Sequence, residues 1–351
     1  MAQPLANKYR PKKFEDVSEQ GAIKTIIENQ IKSNDIRNAY LFCGGAGTGK
    51  TTCARIVAGM INEGQGNPIE LDAASNNSVD DVRRIITDSK FKSMDSKYKI
   101  YIIDECHSLS NAAWQAMLKL LEEPPKSTVF IFCTTDPQKI PGTILSRVQR
   151  YNFQRISKEG IVKRLKYIIE QENAEMCDKC GNDFAPGEYE ANAIMYEDEA
   201  IEYIAKQAQG GMRDAITTLD KCLQYNNNLS LQNVVTVLSS GVTPYELFDF
   251  TLLLLNKDSK KALEMLDSFF MSGIDMSLLL NMYFEFLLNI QKYLVLGDKS
   301  ISNLPEDILN RCSTTMTNTI RSYVQKLYNV INAPKMDIKV LMEAWVMERC
   351  I

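Results

Sequence analysis

Residues 44–51 read Gly-Gly-Ala-Gly-Thr-Gly-Lys-Thr, and this octet constrains the fold more than any other stretch of the chain. The apolar run Ala39-Tyr40-Leu41-Phe42-Cys43 leads into it as a buried strand. The run Thr52-Cys53-Ala54-Arg55-Ile56-Val57-Ala58 leads out of it as a helix. Glycines let the backbone curl so that successive N–H groups converge on one anion. The helix N-terminus adds its partial positive charge at the same point. A strand–loop–helix unit of this composition implies a site for the phosphates of a nucleotide. Gly44, Gly45, Ala46, Gly47, Thr48 and Gly49 would cradle the phosphates, followed by Lys50, Thr51 and Thr52. Lys50 would reach the β- and γ-phosphates, and the Thr51 hydroxyl would sit on Mg²⁺.

A second element fits the first. Lys99-Ile100-Tyr101-Ile102-Ile103-Asp104-Glu105 is an apolar strand ending in two carboxylates. Asp104 at the strand tip can hold Mg²⁺ through water. Glu105 can orient and polarise a water for attack on the γ-phosphate. Phosphoryl transfer needs mainly positioning and charge neutralisation, and these residue types supply both. An acidic pair after a strand is commonly just a solvated loop; the phosphate loop upstream favours the functional reading.

The 351 residues suggest two or three domains. Strands are expected at 39–43, 69–71, 99–103 and 128–134, and helices at 21–32, 51–62, 78–90 and 110–122. That alternation predicts an α/β fold, a parallel sheet with helices on both faces, over 1–153. A small helical domain over 154–228 follows, with an insertion at 174–196. An all-helical domain fills 229–351, with polar breaks at 256–259, 297–305 and 333–336. Nothing near the N-terminus looks like a signal peptide, and the longest apolar run of the third domain, Phe250 to Leu255, is too short to span a bilayer. The expected compartment is the cytoplasm. Nine cysteines, with Cys43, Cys53, Cys106 and Cys133 in or beside core elements, read as buried thiols in a reducing compartment. A net charge of −4 argues against a generally DNA-coating protein but leaves room for a local basic patch.

Further residues gather around the nucleotide elements. The strand Phe130-Ile131-Phe132-Cys133 ends in Thr134-Thr135-Asp136; Ser146-Arg147 closes a helical turn; Gly210-Gly211-Met212-Arg213-Asp214 opens a helix in the second domain. An arginine can neutralise charge on a γ-phosphoryl in transfer. Taken singly, each of these is an ordinary strand end or surface arginine.

Their joint occurrence carries a resemblance. Lys8-Tyr9-Arg10-Pro11, Phe14-Glu15-Asp16-Val17, the phosphate loop, Asp104-Glu105-Cys106-His107 and Leu118-Lys119-Leu120-Leu121-Glu122-Glu123-Pro124-Pro125 occur in this order. Thr134-Thr135-Asp136-Pro137-Gln138-Lys139-Ile140-Pro141, Ser146-Arg147 and Gly211-Met212-Arg213-Asp214 follow. The set resembles the gamma/tau family of bacterial DNA polymerase III, the AAA+ ATPase subunits of the clamp loader. The match is close to about residue 225 and weaker beyond, where Lys339-Val340-Leu341-Met342-Glu343-Ala344 is similar to the last helix of the family's oligomerisation collar.

The resemblance implies a motor subunit that uses ATP and Mg²⁺ to open a sliding clamp and load it on primed DNA, hydrolysis releasing the clamp. The second domain would be the ATPase lid and the third the collar. Tyr9, Arg10, Pro11 and Val17 would line the adenine pocket. Thr135 would sense the γ-phosphate, with Thr134 as the alternative. Arg147 would be an arginine finger acting on the neighbouring subunit's ATP, and Arg213 a lid-side sensor on its own. Asn76, Asn77 and Arg83 would face DNA, although Arg83 reads equally well as part of a solvated helix face. Implied partners are other subunits in a ring, expected to be pentameric, a sliding clamp, primer-template DNA and DNA polymerase, with no membrane.

The chain departs from the family in places. The four-cysteine zinc module expected between phosphate loop and acidic strand is replaced by Ile61-Asn62-Glu63-Gly64-Gln65-Gly66-Asn67-Pro68, and Val148 stands where a cysteine follows the finger arginine. The insertion holds Cys177-Asp178-Lys179-Cys180-Gly181, half of a zinc site. A structural zinc takes four ligands, so zinc is not expected. The chain stops after the collar, as a short or phage-like form would. Two other readings are a helicase loader or branch-migration ATPase, and a non-hydrolysing scaffold. The Glu-Glu-Pro-Pro string and helical third domain weigh against the first, and intact Lys50, Thr51, Asp104 and Glu105 against the second.

Overall fold

The computed structural model describes residues 3–179, 193–238, 241–331 and 337–350. The chain divides into two compact units, Met1–Ile194 with Ile204–Asp220, and Met195–Tyr203 with Lys221–Ile351.

The first unit is built on a parallel sheet of β1 (Ala39–Cys43), β2 (Ile69–Asp72), β3 (Lys99–Asp104), β4 (Thr128–Thr134) and β5 (Gln149–Asn152), in the order β2-β3-β4-β1-β5. The strands buried on both faces read as continuous apolar runs, as parallel strands do. Tyr40, Phe42, Ile100, Ile102, Ile131 and Cys133 point to one face, against α2 (Gly21–Lys32) and α3 (Lys50–Ile61). Leu41, Cys43, Tyr101, Ile103, Phe130 and Phe132 point to the other, against α4 (Val79–Asp88) and α5 (Asn111–Glu122). The alternation predicted from the sequence is thus present, with helix limits within about two residues of those expected.

β5 is the strand the pattern missed. Gln-Arg-Tyr-Asn is four residues of mostly polar edge strand, and only Tyr151 is buried. Short polar edges carry little periodic signal. β5 pairs with β1 through Phe42 opposite Tyr151, and its successor Phe153 donates its N–H to Cys43 O at 2.7 Å.

The order places the C-terminal ends of β3, β4 and β1 side by side, the edge where open α/β sheets bind ligands. Three segments emerge there: the phosphate loop, the acidic pair and the threonine pair. After β5 the first unit continues in α7 (Lys158–Lys179), so the first residues of the expected insertion prolong a helix. The N-terminal segment, with a short helix at Leu5–Lys8 and a 3₁₀ turn at Phe14–Asp16, is anchored by Gln20. Gln20 Nε2 donates to Gln154 O at 2.8 Å, and Gln154 N donates to Gln20 Oε1 at 3.3 Å.

The second unit is helical, with helices at Leu231–Leu238, Pro244–Leu255, Ser259–Met271, Met276–Leu296, Glu306–Arg311, Thr317–Ile331 and Ile338–Cys350. Two of the expected breaks, 256–259 and 297–305, separate helices; 333–336 lies outside the described residues. A two-residue parallel pair, Met195–Tyr196 with Asn228–Leu229, interrupts the helical pattern. The core centres on Tyr283, whose ring lies 5.2 Å from Phe250 and 5.9 Å from Trp345. Its hydroxyl is 3.1 Å from Thr251 Oγ1. Thr251 gives its one proton to Leu247 O at 2.7 Å, which makes Tyr283 the donor. Among the described residues no helix is long and apolar enough to cross a membrane.

Candidate functional site

The phosphate loop is held at its start by Gly44 N, which donates to Thr134 O at 3.2 Å. A side chain at Gly44 would put Cβ 2.6 Å from Phe153 O, so close strand packing excludes one. Lys50 Nζ donates to Gly44 O at 2.9 Å and Gly45 O at 2.8 Å. Lys50 is only 6% exposed. Burial pushes its amine below the ordinary lysine value, against the pull of Glu105, Cys133 and Asp104. The ammonium is therefore already stripped of water, and phosphate oxygens are better partners for it than the two carbonyls.

Asp104 joins the loop to the acidic strand. Its Oδ2 accepts from Thr51 Oγ1 at 2.8 Å and its Oδ1 from Glu105 N at 3.0 Å. A hydroxyl beside a carboxylate oxygen is a hard donor pair of the kind Mg²⁺ takes, and it lies next to the phosphate loop. The residues present therefore fit a divalent cation.

Glu105 sits just past the strand with φ of 45°. A non-glycine residue in that region costs about 1–3 kcal/mol, and such strain gathers at functional sites. Its Oε2 accepts from Thr135 Oγ1 at 3.0 Å and lies 3.2 Å from His107 Nδ1. The neighbouring Thr134 is fully buried and turns elsewhere, with Oγ1 3.1 Å from His107 Nδ1 and accepting from Asp136 N at 3.0 Å. Of the two threonines named from the sequence, Thr135 is the one that meets the Glu105 carboxylate.

A cavity of about 360 Å³ opens over these groups. Its floor is Ala46, Gly47, Thr48, Gly49, Lys50, Thr51 and Thr52 with Asp104 and Glu105. Its far wall is Tyr9, Arg10, Pro11 and Val17, as expected, joined by Ala6, Asp16 and Ser18. The helical segments add Arg213 with Ile156, Arg164, Met212, Asp214 and Ile216. The two segments meet the loop directly. Gly47, at φ +69°, would place a Cβ 2.9 Å from Gly211 Cα, and Met212 N donates to Gly47 O at 3.0 Å.

Arg164 was not foreseen, because it belongs to no motif and its helical spacing is that of any solvated arginine. It donates from Nη2 to Tyr9 O at 2.8 Å. Lys8 reaches Glu172 at 2.5 Å and Glu175 at 2.8 Å on the same helix. The far wall and α7 are thereby tied together. Burial lowers the pKa of Arg10, and the charges of Arg55 and Arg213 lower it further. Three guanidiniums leaning on one cavity favour a polyanion there.

Other residues lie away from the cavity. Arg147 donates to Glu122 Oε1 at 2.7 Å and to Thr143 O at 2.6 Å, which joins two of the motif strings. Asn76 Nδ2 donates to Asp72 O at 3.1 Å, Asn77 O accepts from Ser110 N at 3.3 Å, and Arg83 pairs with Asp80 at 3.1 Å on an exposed face. The structure thus gives Arg83 a partner on its own helix. Cys43, Cys53, Cys106 and Cys133 are buried; burial raises all four thiols, Cys53 to about 12. Cys177 is exposed, and Cys180 lies outside the described residues. Among the described residues no group of His, Cys, Asp or Glu has metal-holding geometry of three or more ligands.

Comparison with known proteins places this geometry. Residues 67–157 match the family described as DNA polymerase III, delta subunit, and residues 189–228 match the DNA polymerase III clamp loader subunit, ATPase lid domain. DNA polymerase III subunit gamma of Buchnera aphidicola subsp. Acyrthosiphon pisum is 30% identical, covering 96% of this chain and 94% of its own. DNA polymerase III subunit tau of Bacillus subtilis is 35% identical over 78% of this chain, which spans only 49% of that relative. Among solved structures, Thermotoga maritima RuvB, a Holliday junction branch migration motor, aligns with a TM-score of 0.50 at 19% identity, over 72% of this chain and 80% of its own. At that identity the likeness speaks to the fold alone.

Proposed function

Because the chain belongs to the DNA polymerase III gamma/tau family, we propose that it is an ATP-hydrolysing clamp-loader subunit, which opens a sliding clamp and places it on primed DNA. The observation that carries this is the continuous run of contacts from Thr51 through Asp104 and Glu105 to Thr135. It joins the phosphate loop to the residue that would read the γ-phosphate, which a scaffold has no physical need to keep.

In this reading Lys50 exchanges its two carbonyl partners for phosphate oxygens. Thr51 and Asp104 would hold Mg²⁺, which when bound neutralises charge on the phosphates. Glu105 orients and polarises the attacking water. Tyr9, Arg10, Pro11 and Val17 take the base, and Arg213 reaches the phosphates from the lid. Arg147, absent from its own cavity, serves the neighbouring subunit in a ring. The helix bearing Arg83, with Asn76 and Asn77 before it, lies along the DNA backbone, so binding is steeply salt-dependent with little sequence preference. The clamp, DNA polymerase and a ring of five subunits complete the proposed assembly, in the cytoplasm.

The test is ATP turnover with and without primed DNA and a sliding clamp. Both should stimulate it. Glu105→Gln should bind ATP normally and turn over about 10²-fold slower or worse. Turnover indifferent to DNA and clamp would end the clamp-loader reading, and a fully active Glu105→Gln would end the role of Glu105.

A further inference from the structure

His107 is the only histidine in the chain, and it lies against the carboxylate proposed to polarise water. It sits in the 3₁₀ turn Cys106–Ser108, pinned by Cys106, which is fully buried. Its Nδ1 is 3.2 Å from Glu105 Oε2 and 3.1 Å from Thr134 Oγ1. An ionised carboxylate only accepts hydrogen bonds, so a favourable contact requires a proton on Nδ1. Thr134 Oγ1, which also accepts from Asp136 N, shares that proton and fixes the ring. Thr134 is the residue whose carbonyl anchors the phosphate loop through Gly44 N. The imidazole is thus built onto the same support as the loop.

The Thr135 hydroxyl has one proton. In the structure it goes to Glu105 Oε2. A γ-phosphate taken up by Thr135 would compete for that proton and leave Oε2 with one side-chain donor. We infer that His107 is the positioning residue for hydrolysis: its Nδ1–H keeps Glu105 by Oε2 when Thr135 turns to phosphate, so that Oε1 faces the water. This rests on the reading of Glu105 as the group that polarises water.

The test compares His107→Ala, His107→Asn and His107→Gln in the assembly in which the wild-type chain hydrolyses ATP. His107→Ala should lower kcat by about 10- to 100-fold, the scale of lost positioning, with KM for ATP nearly unchanged. Asparagine can place an amide N–H where Nδ1–H stands and should restore most of kcat. Glutamine places its amide nearer the Nε2 position and should not. A wild-type kcat in His107→Ala, or equal rescue by asparagine and glutamine, overturns the inference. A second measurement needs no variant. The full chain labelled with ¹⁵N-histidine gives a single imidazole, whose Nδ1 should carry a proton both without nucleotide and with a non-hydrolysable ATP analogue. A bare Nδ1 in the analogue complex overturns the inference. Glu105→Gln separates the two readings: inactive with an active His107→Ala, only this inference fails; active itself, the role of Glu105 fails first.

Discussion

The two units put their polar side chains to opposite uses. In the second unit the bonds are largely local helix caps. Thr243 and Glu246 form a reciprocal box, Asp258 accepts from Lys261 N, and Asp275 accepts from Ser277 N and Leu278 N. The polar contact at the core of that unit, Tyr283 to Thr251, is sealed away from any solute. In the first unit the bonds that shape the cavity join residues far apart: Thr51 to Asp104 across 53 positions, Thr135 to Glu105 across 30, and Arg164 to Tyr9 across 155. A cap completes an element that its own segment already favours. A bond across 53 positions exists only because the whole fold delivers both ends. The lesson is that distance along the chain, more than burial or polarity, separates the groups available for chemistry from those that end helices.

Substitutions can break that contrast. The largest effect belongs to Lys50→Ala, which should remove ATP binding outright in calorimetric titration. The nucleotide-free chain should melt no earlier, since a dehydrated ammonium is removed along with its contacts. A marked loss of stability would make Lys50 a structural residue like those of the second unit. Next, Arg147→Ala should cut DNA-stimulated turnover by about 10³-fold while sparing ATP affinity, as for arginine fingers supplied in trans. Mixing it with Glu105→Gln subunits should recover part of the activity; no recovery in rings proven mixed would count against finger and base coming from different chains. In the second unit the sign reverses. Leu287→Ala, at a fully buried position, should cost about 2–5 kcal/mol by denaturant unfolding and leave the nucleotide affinity of folded protein unchanged. Smallest of all, Thr243→Ala should cost about 1 kcal/mol through its cap. A shift in ATP affinity from either of these would dissolve the contrast.

The same contrast explains what was legible in the sequence. β1, β3 and β4 stood out because burial on both faces writes an unbroken apolar run. The phosphate loop and the acidic pair stood out because their spacing is dictated by backbone geometry. β5 did not, since a polar edge strand has no run to show. Arg164 and Ile156 line the cavity only because distant segments converge there, and no local pattern records it. The order of Thr134 and Thr135 was readable, but which hydroxyl meets Glu105 depends on the direction of a side chain past the strand end. His107 could be placed beside the strand, whereas its contact with Glu105 depends on the left-handed turn at that residue.

One earlier feature has a mechanical meaning. Where the phosphate loop touches the segment that opens the helix at Met212, both partners, Gly47 and Gly211, lack side chains. A contact between side chains can stretch, swivel or re-pack, and so can grade its response. Two bare backbones have no such adjustment. Met212 N–H either reaches Gly47 O or does not, and displacement by an ångström already forfeits much of the dispersion between the surfaces. The joint therefore behaves as a digital element, telling the nucleotide site that the lid is engaged or disengaged with no settings between. Any residue larger than glycine at either position would act as a wedge that holds the reading at one value.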